Sequence, residues 1–511
     1  MIGHRNLSES LKNLGLLPIA GNPGTTEIPA LRDIDDYILC LHDSIAVGVA
    51  EGMYLADGRP RVASLHTMPG LGNSMAFINT ARANGSPLVI MAGQQDTRHT
   101  VLEPLLYHDL TGMVHSSVKY AYELRDPHDI PLALRTALSR AFTPHYGPVF
   151  LSVPMDFMDK DAGEPAGPFV LPGNMAVDRE GLQEVAEMID GARSPCIVAG
   201  YENDIYGHFG GVEALADAIG CPVFAEPLAS RSPCRSRDCV DSDLQPAAAL
   251  INMSLLPHDL VILVGADLTL YPYTPIGLLP GKRVVYIGYS PTGRHSLQVY
   301  GNPDASALYL STLVKRKGER VHRERVRDNT RLAIMKRKRE SGYILSLAAE
   351  VFRDRPVVDE AISSSPVLRS TFGYRSGMYF TARSGQLGWG LPAATGMALA
   401  GRPSLLVIGD GSLMYTVQTL WTAKKYGADV KVVVLNNHSY GILRSFASSY
   451  YEDAAGKEYL KFDLDIHGVA KSYGIPSMDL EERHDVVELS RTEGPCIGVY
   501  EEGAGIKKLF L

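Results

Sequence analysis

Short apolar runs separated by polar or glycine-rich turns recur along the chain. In the first third they fall at 38–41 (ILCL), 61–65 (RVASL), 87–92 (PLVIMA) and 148–153 (PVFLSV). Runs this short, apolar throughout instead of alternating, suit strands buried on both faces of a parallel sheet. Between them, 44–57 and 73–83 carry small and apolar residues suited to close-packed helices. Residues 156–181 are rich in Pro, Gly and acids and read as a linker. A second set of strands is expected at 195–200, 221–225, 259–265 and 283–288, the last preferred to 292–297 because it is β-branched and alternates little. A third set lies at 404–408 (SLLVI), 430–435 (VKVVVL) and 496–500. The pattern predicts an α/β protein of three doubly wound parallel-sheet domains, at 1–160, 182–314 and 343–511.

Length and charge narrow the class. A chain of 511 residues is too long for one ordinary core, and its 45% hydrophobic content supplies several. A net charge of -8 argues against a general nucleic-acid partner. The most charged stretch, 315–340, lacks aromatic or base-reading residues beside its basic ones and reads as a solvated helix joining two domains. No run approaches 18 apolar residues, and the polar start MIGHRNLSESLKNLG has no signal-peptide core, so a cytoplasmic protein with no membrane partner is expected. The six cysteines show no repeated CxxC. Cys234 and Cys239 fit two ordinary thiols of a reducing compartment better than a metal site or a disulfide.

The sharpest chemical signal is GDGSLMYTVQTLWTAKKYGADVKVVVLNNHSYG, residues 409–441. An acidic turn follows one apolar strand and Asn436-Asn437 follows the next, with Asn437 27 positions after Asp410. Adjacent parallel strands end on the same side of a sheet, so the two loops meet there. Asp410 would give a charged oxygen, Asn437 a neutral one, and a backbone carbonyl near Ser439 a third, a set suited to magnesium holding a diphosphate. Gly409 and Gly411 permit a tight turn, and a helix starting near Ser412 would aim amides at phosphate. A dinucleotide site is less well supported, because no GxGxxG directly follows the first strand.

This spacing resembles the binding motif of the thiamine diphosphate (ThDP)-dependent decarboxylase and acetohydroxyacid synthase superfamily. GNPGTTE (21–27), HDSIAVGVAEG (42–52), SLHTMPGLGN (64–73) and AGQQDTRH (92–99) resemble the benzoylformate decarboxylase branch in particular. The resemblance covers nearly the whole chain. It implies a pyrimidine-binding N-terminal domain, a central domain, a C-terminal diphosphate- and Mg2+-binding domain, and a homotetramer with active sites at dimer interfaces. It also implies that Leu387, in SGQLGWGLPAATG, supports the bent cofactor, and that Tyr440, Gly441, Ile442, Leu443 and Phe446 wall the thiazolium and substrate.

Three further positions match the branch's catalytic apparatus, and one departs from it. The family's cofactor-activating Glu is Asp43 here, shorter by one methylene; a helix cap is the alternative for this residue, and Glu51 is the rival carboxylate. His66 matches an active-site histidine suited to proton exchange near neutrality. Thr25 matches a serine that contacts the substrate carboxylate. The branch's second catalytic histidine falls on Pro272, leaving proton transfer to His66, the cofactor, water, or Tyr271 or Tyr273. His108 and His115 do not form the paired histidines of pyruvate-decarboxylase relatives and read as surface or structural residues. The expected activity is non-oxidative decarboxylation of an aryl or hydrophobic 2-oxo acid to an aldehyde, without FAD. The alternatives are a carboligase, a 2-hydroxyacyl-CoA lyase, or a ThDP-binding homologue altered in catalysis.

Overall fold

The computed structural model describes residues 1–503 except 172, 174–175, 208, 272–275, 291–294, 317 and 321–339. The described chain forms two compact units. The first comprises Met1–Pro172, Arg337–Leu368 and Ser384–Leu511, and the second Gly173–Lys336 and Arg369–Arg383.

Within the first unit, the N-terminal sheet holds β1 (Ile19–Gly21), β2 (Tyr37–Leu39), β3 (Arg61–Leu65), β4 (Leu88–Gln94), β5 (Ala121–Glu123) and β6 (Val149–Pro154). They are parallel throughout, in the order β2-β1-β3-β4-β6-β5. The four expected runs are all strands here. β1 and β5, three residues each, were too short to show as apolar runs. Helices α1 (Asp43–Asp57) and α2 (Thr67–Ala83) follow β2 and β3. Most of α1 is buried, which explains its small apolar composition.

The second unit has its own parallel sheet of β7 (Pro195–Ala199), β8 (Val223–Ala225), β9 (Ser242–Asp243), β10 (Leu260–Val264), β11 (Arg283–Gly288) and β12 (Leu297–Tyr300), in the order β12-β11-β10-β7-β8-β9. Helix α3 (Gly211–Ile219) lies between β7 and β8. The upstream run 283–288 is indeed the strand. Most of the charged stretch 315–340 lies outside the described residues.

The last sheet belongs to the first unit and carries β13 (Val357–Glu360). The following segment, with β14 (Tyr379–Thr381), belongs to the second unit, where Thr381 N donates to the Ser230 carbonyl (3.0 Å). The chain then returns as α4 (Gly390–Leu399), β15 (Ser404–Gly409), α5 (Asp410–Leu413), β16 (Val430–Asn436), α6 (Gly441–Tyr450), β17 (Ser477–Asp479) and β18 (Cys496–Glu501). The parallel order is β13-β15-β16-β18-β17.

Glycines join α1 to α4. A Cβ on Gly52 would stand 2.0 Å from the Ala393 carbonyl oxygen, and one on Gly396 2.1 Å from that of Val49. Only hydrogen at these positions lets the two backbones touch. Glu51 seals the crossing: buried, it accepts from Asn84 Nδ2 (2.9 Å), Ser86 Oγ (2.7 Å) and Trp389 Nε1 (2.7 Å). These contacts fix two sheets of one unit against each other.

Candidate active site

Two polar clusters occur at the C-terminal ends of strands, where open parallel sheets collect their ligands. The first is on the C-terminal sheet. β15 and β16 pair in register with Gly409 opposite Leu435, so the turns after them are neighbours. Asp410 is the first residue of α5, two positions before the expected helix start, because its carboxylate accepts from Gly411 N (2.9 Å) inside the turn. Its other oxygen accepts from His438 N (2.8 Å). That bond spans the two loops and holds His438 at a φ of +55°, a conformation uncommon outside glycine.

Asn437 Oδ1 accepts from Ser439 N (3.1 Å) and from Ser439 Oγ (3.2 Å). Asp410, Asn437 and Ser439 line one pocket together with Leu387, Gly409, Gly411, Ser412 and Tyr440–Ile442. Leu443 and Phe446 do not line it. Leu443 is exposed, and Phe446 packs on Tyr450 and Tyr451.

Among the described residues no lysine or arginine lines this pocket, whereas Glu360, Asp410 and Glu502 do. Burial pushes the Asp410 carboxyl up to about 6, against the pull of its backbone hydrogen bonds. Burial likewise pushes Glu360 up to about 8, helped by Asp359 and opposed by the N–H groups of Gly388 and Gly390. A bare polyanion would be repelled from such a lining, whereas one carrying a hard divalent cation would be drawn to its oxygens. Above Gly409, a Cβ would meet nothing within 4 Å, so the turn leaves open space beside the oxygen donors. The donor set therefore fits a magnesium-borne diphosphate.

The second cluster lies on the N-terminal sheet around Asp43, His66 and Glu27. Asp43 is buried and begins α1, yet it does not cap the helix: that role falls to His42, whose Nδ1 accepts from Ser44 N. The Asp43 carboxylate instead accepts from Asn22 Nδ2 (3.1 Å) and His66 N (3.0 Å). His66 Nδ1 lies 2.8 Å from Glu27 Oε2. A neutral imidazole donating Nδ1–H to this carboxylate keeps Nε2 as its acceptor nitrogen. Glu27 is buried and also accepts from Gly24 N, Thr26 Oγ1, Thr67 N and Gly93 N. Thr67, the residue after His66, is β-branched and held at a φ of +34°, strain of the kind that collects at functional sites.

Glu27 was missed by the sequence reading although it closes the motif GNPGTTE; only the tertiary pairing with His66 singles it out. Thr25 is exposed, and the hydroxyl inside the cluster is that of Thr26. Glu51 is committed to the α1–α4 crossing. His108 and His115 are both exposed. Pro272 and Tyr273 lie outside the described residues, and Tyr271 is half-exposed.

A parallel-sheet protein whose C-terminal sheet gathers acid and amide oxygens around one open pocket, and whose N-terminal sheet gathers a buried acid–histidine pair, has the site of an enzyme built on an organic diphosphate cofactor. Three family models agree: the thiamine pyrophosphate enzyme N-terminal TPP-binding domain over residues 1–119, the central domain over 182–299 and the C-terminal TPP-binding domain over 367–492. The chain belongs to the thiamine pyrophosphate enzyme family. It is 33% identical to benzoylformate decarboxylase of Pseudomonas aeruginosa, across 94% of each chain. It is 24% identical to the acetolactate synthase large subunit of Lactococcus lactis, over 94% of this chain and 88% of that one. Among solved structures, benzoylformate decarboxylase from Polynucleobacter necessarius superposes with a TM-score of 0.90 at 27% identity, covering 99% of both chains. The ThDP-dependent 4-hydroxybenzoylformate decarboxylase of Rhodococcus jostii RHA1 gives 0.87 at 25% identity, over 99% of this chain and all of that one.

Proposed function

We propose that the protein is a ThDP- and Mg2+-dependent lyase that decarboxylates an aryl or hydrophobic 2-oxo acid to an aldehyde and CO2. The observation that carries this reading is the Glu27–His66 pair, Oε2 and Nδ1 2.8 Å apart, next to the buried Asp43 carboxylate. When bound, the cofactor supplies a cationic ring that accepts the electron pair left by departing CO2. The chain's own residues do the rest. Asp410, Asn437 and Ser439 would hold the metal and thereby the diphosphate. Leu387 and Ile442 would shape the apolar wall. The Asp43 carboxylate would bind the pyrimidine ring, and His66 would move protons at the substrate oxygen and carbon.

Among the described residues, the lining of the diphosphate pocket contains none before Glu360, and the Asp43 cluster none after Gly93. That division favours an active site completed by two subunits, within a cytoplasmic homotetramer whose chains divide into domains at 1–160, 182–314 and 343–511. A carboligase or 2-hydroxyacyl-CoA lyase is the second reading, supported by the likeness to acetolactate synthase along the chain.

The deciding experiment incubates purified protein, ThDP and Mg2+ with a panel of 2-oxo acids and identifies the products. Stoichiometric aldehyde and CO2 are expected, and Asp410→Ala should weaken Mg2+-dependent ThDP binding at least tenfold. Acyloin without free aldehyde would replace the first reading with the second. Unaltered ThDP binding in Asp410→Ala would remove the assigned metal site.

A further inference from the structure

The second unit contains a side-chain cluster that the decarboxylase chemistry does not use. Glu213 stands in the first turn of α3, and the segment before β9 brings Cys234 and Cys239 to it. One carboxylate oxygen and the two sulfurs lie within 4.8 Å of one another. Both cysteines are buried, at 0% and 2% exposure. Glu213 Oε1 accepts from Ser236 N (3.0 Å), midway between the cysteines. Its Oε2 is buried with no hydrogen-bond partner among the described residues.

Two ordinary core thiols would leave that carboxylate oxygen stranded. A buried acceptor without a donor is destabilising, and more so if it is charged. We propose that Glu213, Cys234 and Cys239 form a site for a thiophilic d10 cation such as Zn2+, with solvent in the fourth position.

Two sulfurs and one carboxylate match zinc's preference, whereas magnesium demands a near-octahedral shell of oxygens. The cluster is therefore separate in chemistry, as well as in place, from the Asp410 site. Binding is a simple exchange: the cation forms two metal–sulfur bonds and one metal–oxygen bond, and each thiol releases one proton to solvent, with no change of oxidation state. Three negative ligands around a divalent cation leave one excess charge. Beside the site, Arg320 Nη2 donates to the Cys239 carbonyl, while its guanidinium pairs with Asp241 (3.1 Å) and Asp217 (3.6 Å). Filled, the site would clip the 234–239 loop to α3, a staple within the second unit.

The test titrates the reduced, chelator-treated full-length protein with Cd2+ and follows the ultraviolet sulfur-to-cadmium absorption. One equivalent per chain is expected, displaced by Zn2+ but not by millimolar Mg2+. Cys234→Ser/Cys239→Ser should abolish the band, and Glu213→Gln should keep it while weakening affinity about tenfold or more. X-ray absorption of the zinc-loaded wild type, which needs no variant to fold, should show two sulfurs at about 2.3 Å. A shell of nitrogen and oxygen only, no band in folded wild type, or an undiminished band in the double variant would each overturn the proposal. So would a Cys234–Cys239 disulfide in protein purified without reductant.

Discussion

Asp43 and Glu51 lie on the same helix eight positions apart, and the structure assigns them opposite surroundings. Glu51 satisfies three buried donors, from Trp389 just before α4 and from the turn after α2, so Glu51→Ala should cost about 3–5 kcal/mol by stranding them. Asp43 has two partners, both near His66. Asp43→Asn, which keeps the size and one of the two acceptor oxygens, should lower thermal stability less than Glu51→Ala and slow C2–H exchange of bound ThDP by about a hundredfold or more, the scale of effect expected when a catalytic group is lost or misplaced. Exchange measured by NMR in both variants separates the roles. Slow exchange in folded Glu51→Ala with normal exchange in Asp43→Asn would reverse the assignment. Glu27 shows why residue identity alone was insufficient: in the sequence it is one acid closing a turn motif, and its importance comes from a histidine 39 positions later.

Between elements, the crossing of α1 and α4 depends on glycine. In an isolated helix, Gly52→Ala would favour folding by about 1 kcal/mol. Here the added methyl meets a carbonyl oxygen at 2.0 Å, a clash that neither backbone can relieve without parting the helices. Overpacking of this kind costs about 1–3 kcal/mol or more, so the clash wins and Gly52→Ala should lower the unfolding midpoint in urea. A midpoint equal to or above wild type would show that the helices separate freely. The same scale explains what was readable in the metal loop. Two apolar strands followed by GDG and NN placed Asp410 beside Asn437 correctly, because adjacent parallel strands leave no other arrangement. Leu443 and Phe446 were less readable: apolar residues at the start of a helix face a pocket or a neighbouring side chain according to the helix's rotation, which neighbouring elements set.

For the molecule as a whole, a buried acid in the second unit should shape the response to pH. Glu226 accepts from Tyr201 N (2.9 Å), Asp267 N (2.7 Å) and Arg383 Nη1 (3.2 Å), yet burial outweighs these partners and pushes it up to about 7. Unfolded, it would lose its proton near 4.5. Between those values the unfolded chain binds fewer protons than the folded one, so stability falls as pH rises from about 4.5 to 7 and then levels. Glu226→Gln should flatten that interval in urea unfolding; an unchanged slope would assign it to other groups.

Assembly has its own test. Asp43→Asn and Asp410→Ala chains, each inactive alone, should regain part of the activity when co-assembled if one subunit completes the other's site, and no recovery would place each site within one chain. The sequence by itself determined the α/β class, most of the long strands, the meeting of the GDG and NN turns and the family resemblance, because each is written in contiguous runs or fixed spacing. Only the tertiary structure decided that Glu51 is a structural tie, that Glu27 orients His66, and that Glu213 faces two buried thiols. Those relations join residues far apart in the chain, and burial and direction, which settle a side chain's chemistry, exist only once the sheets and helices have packed.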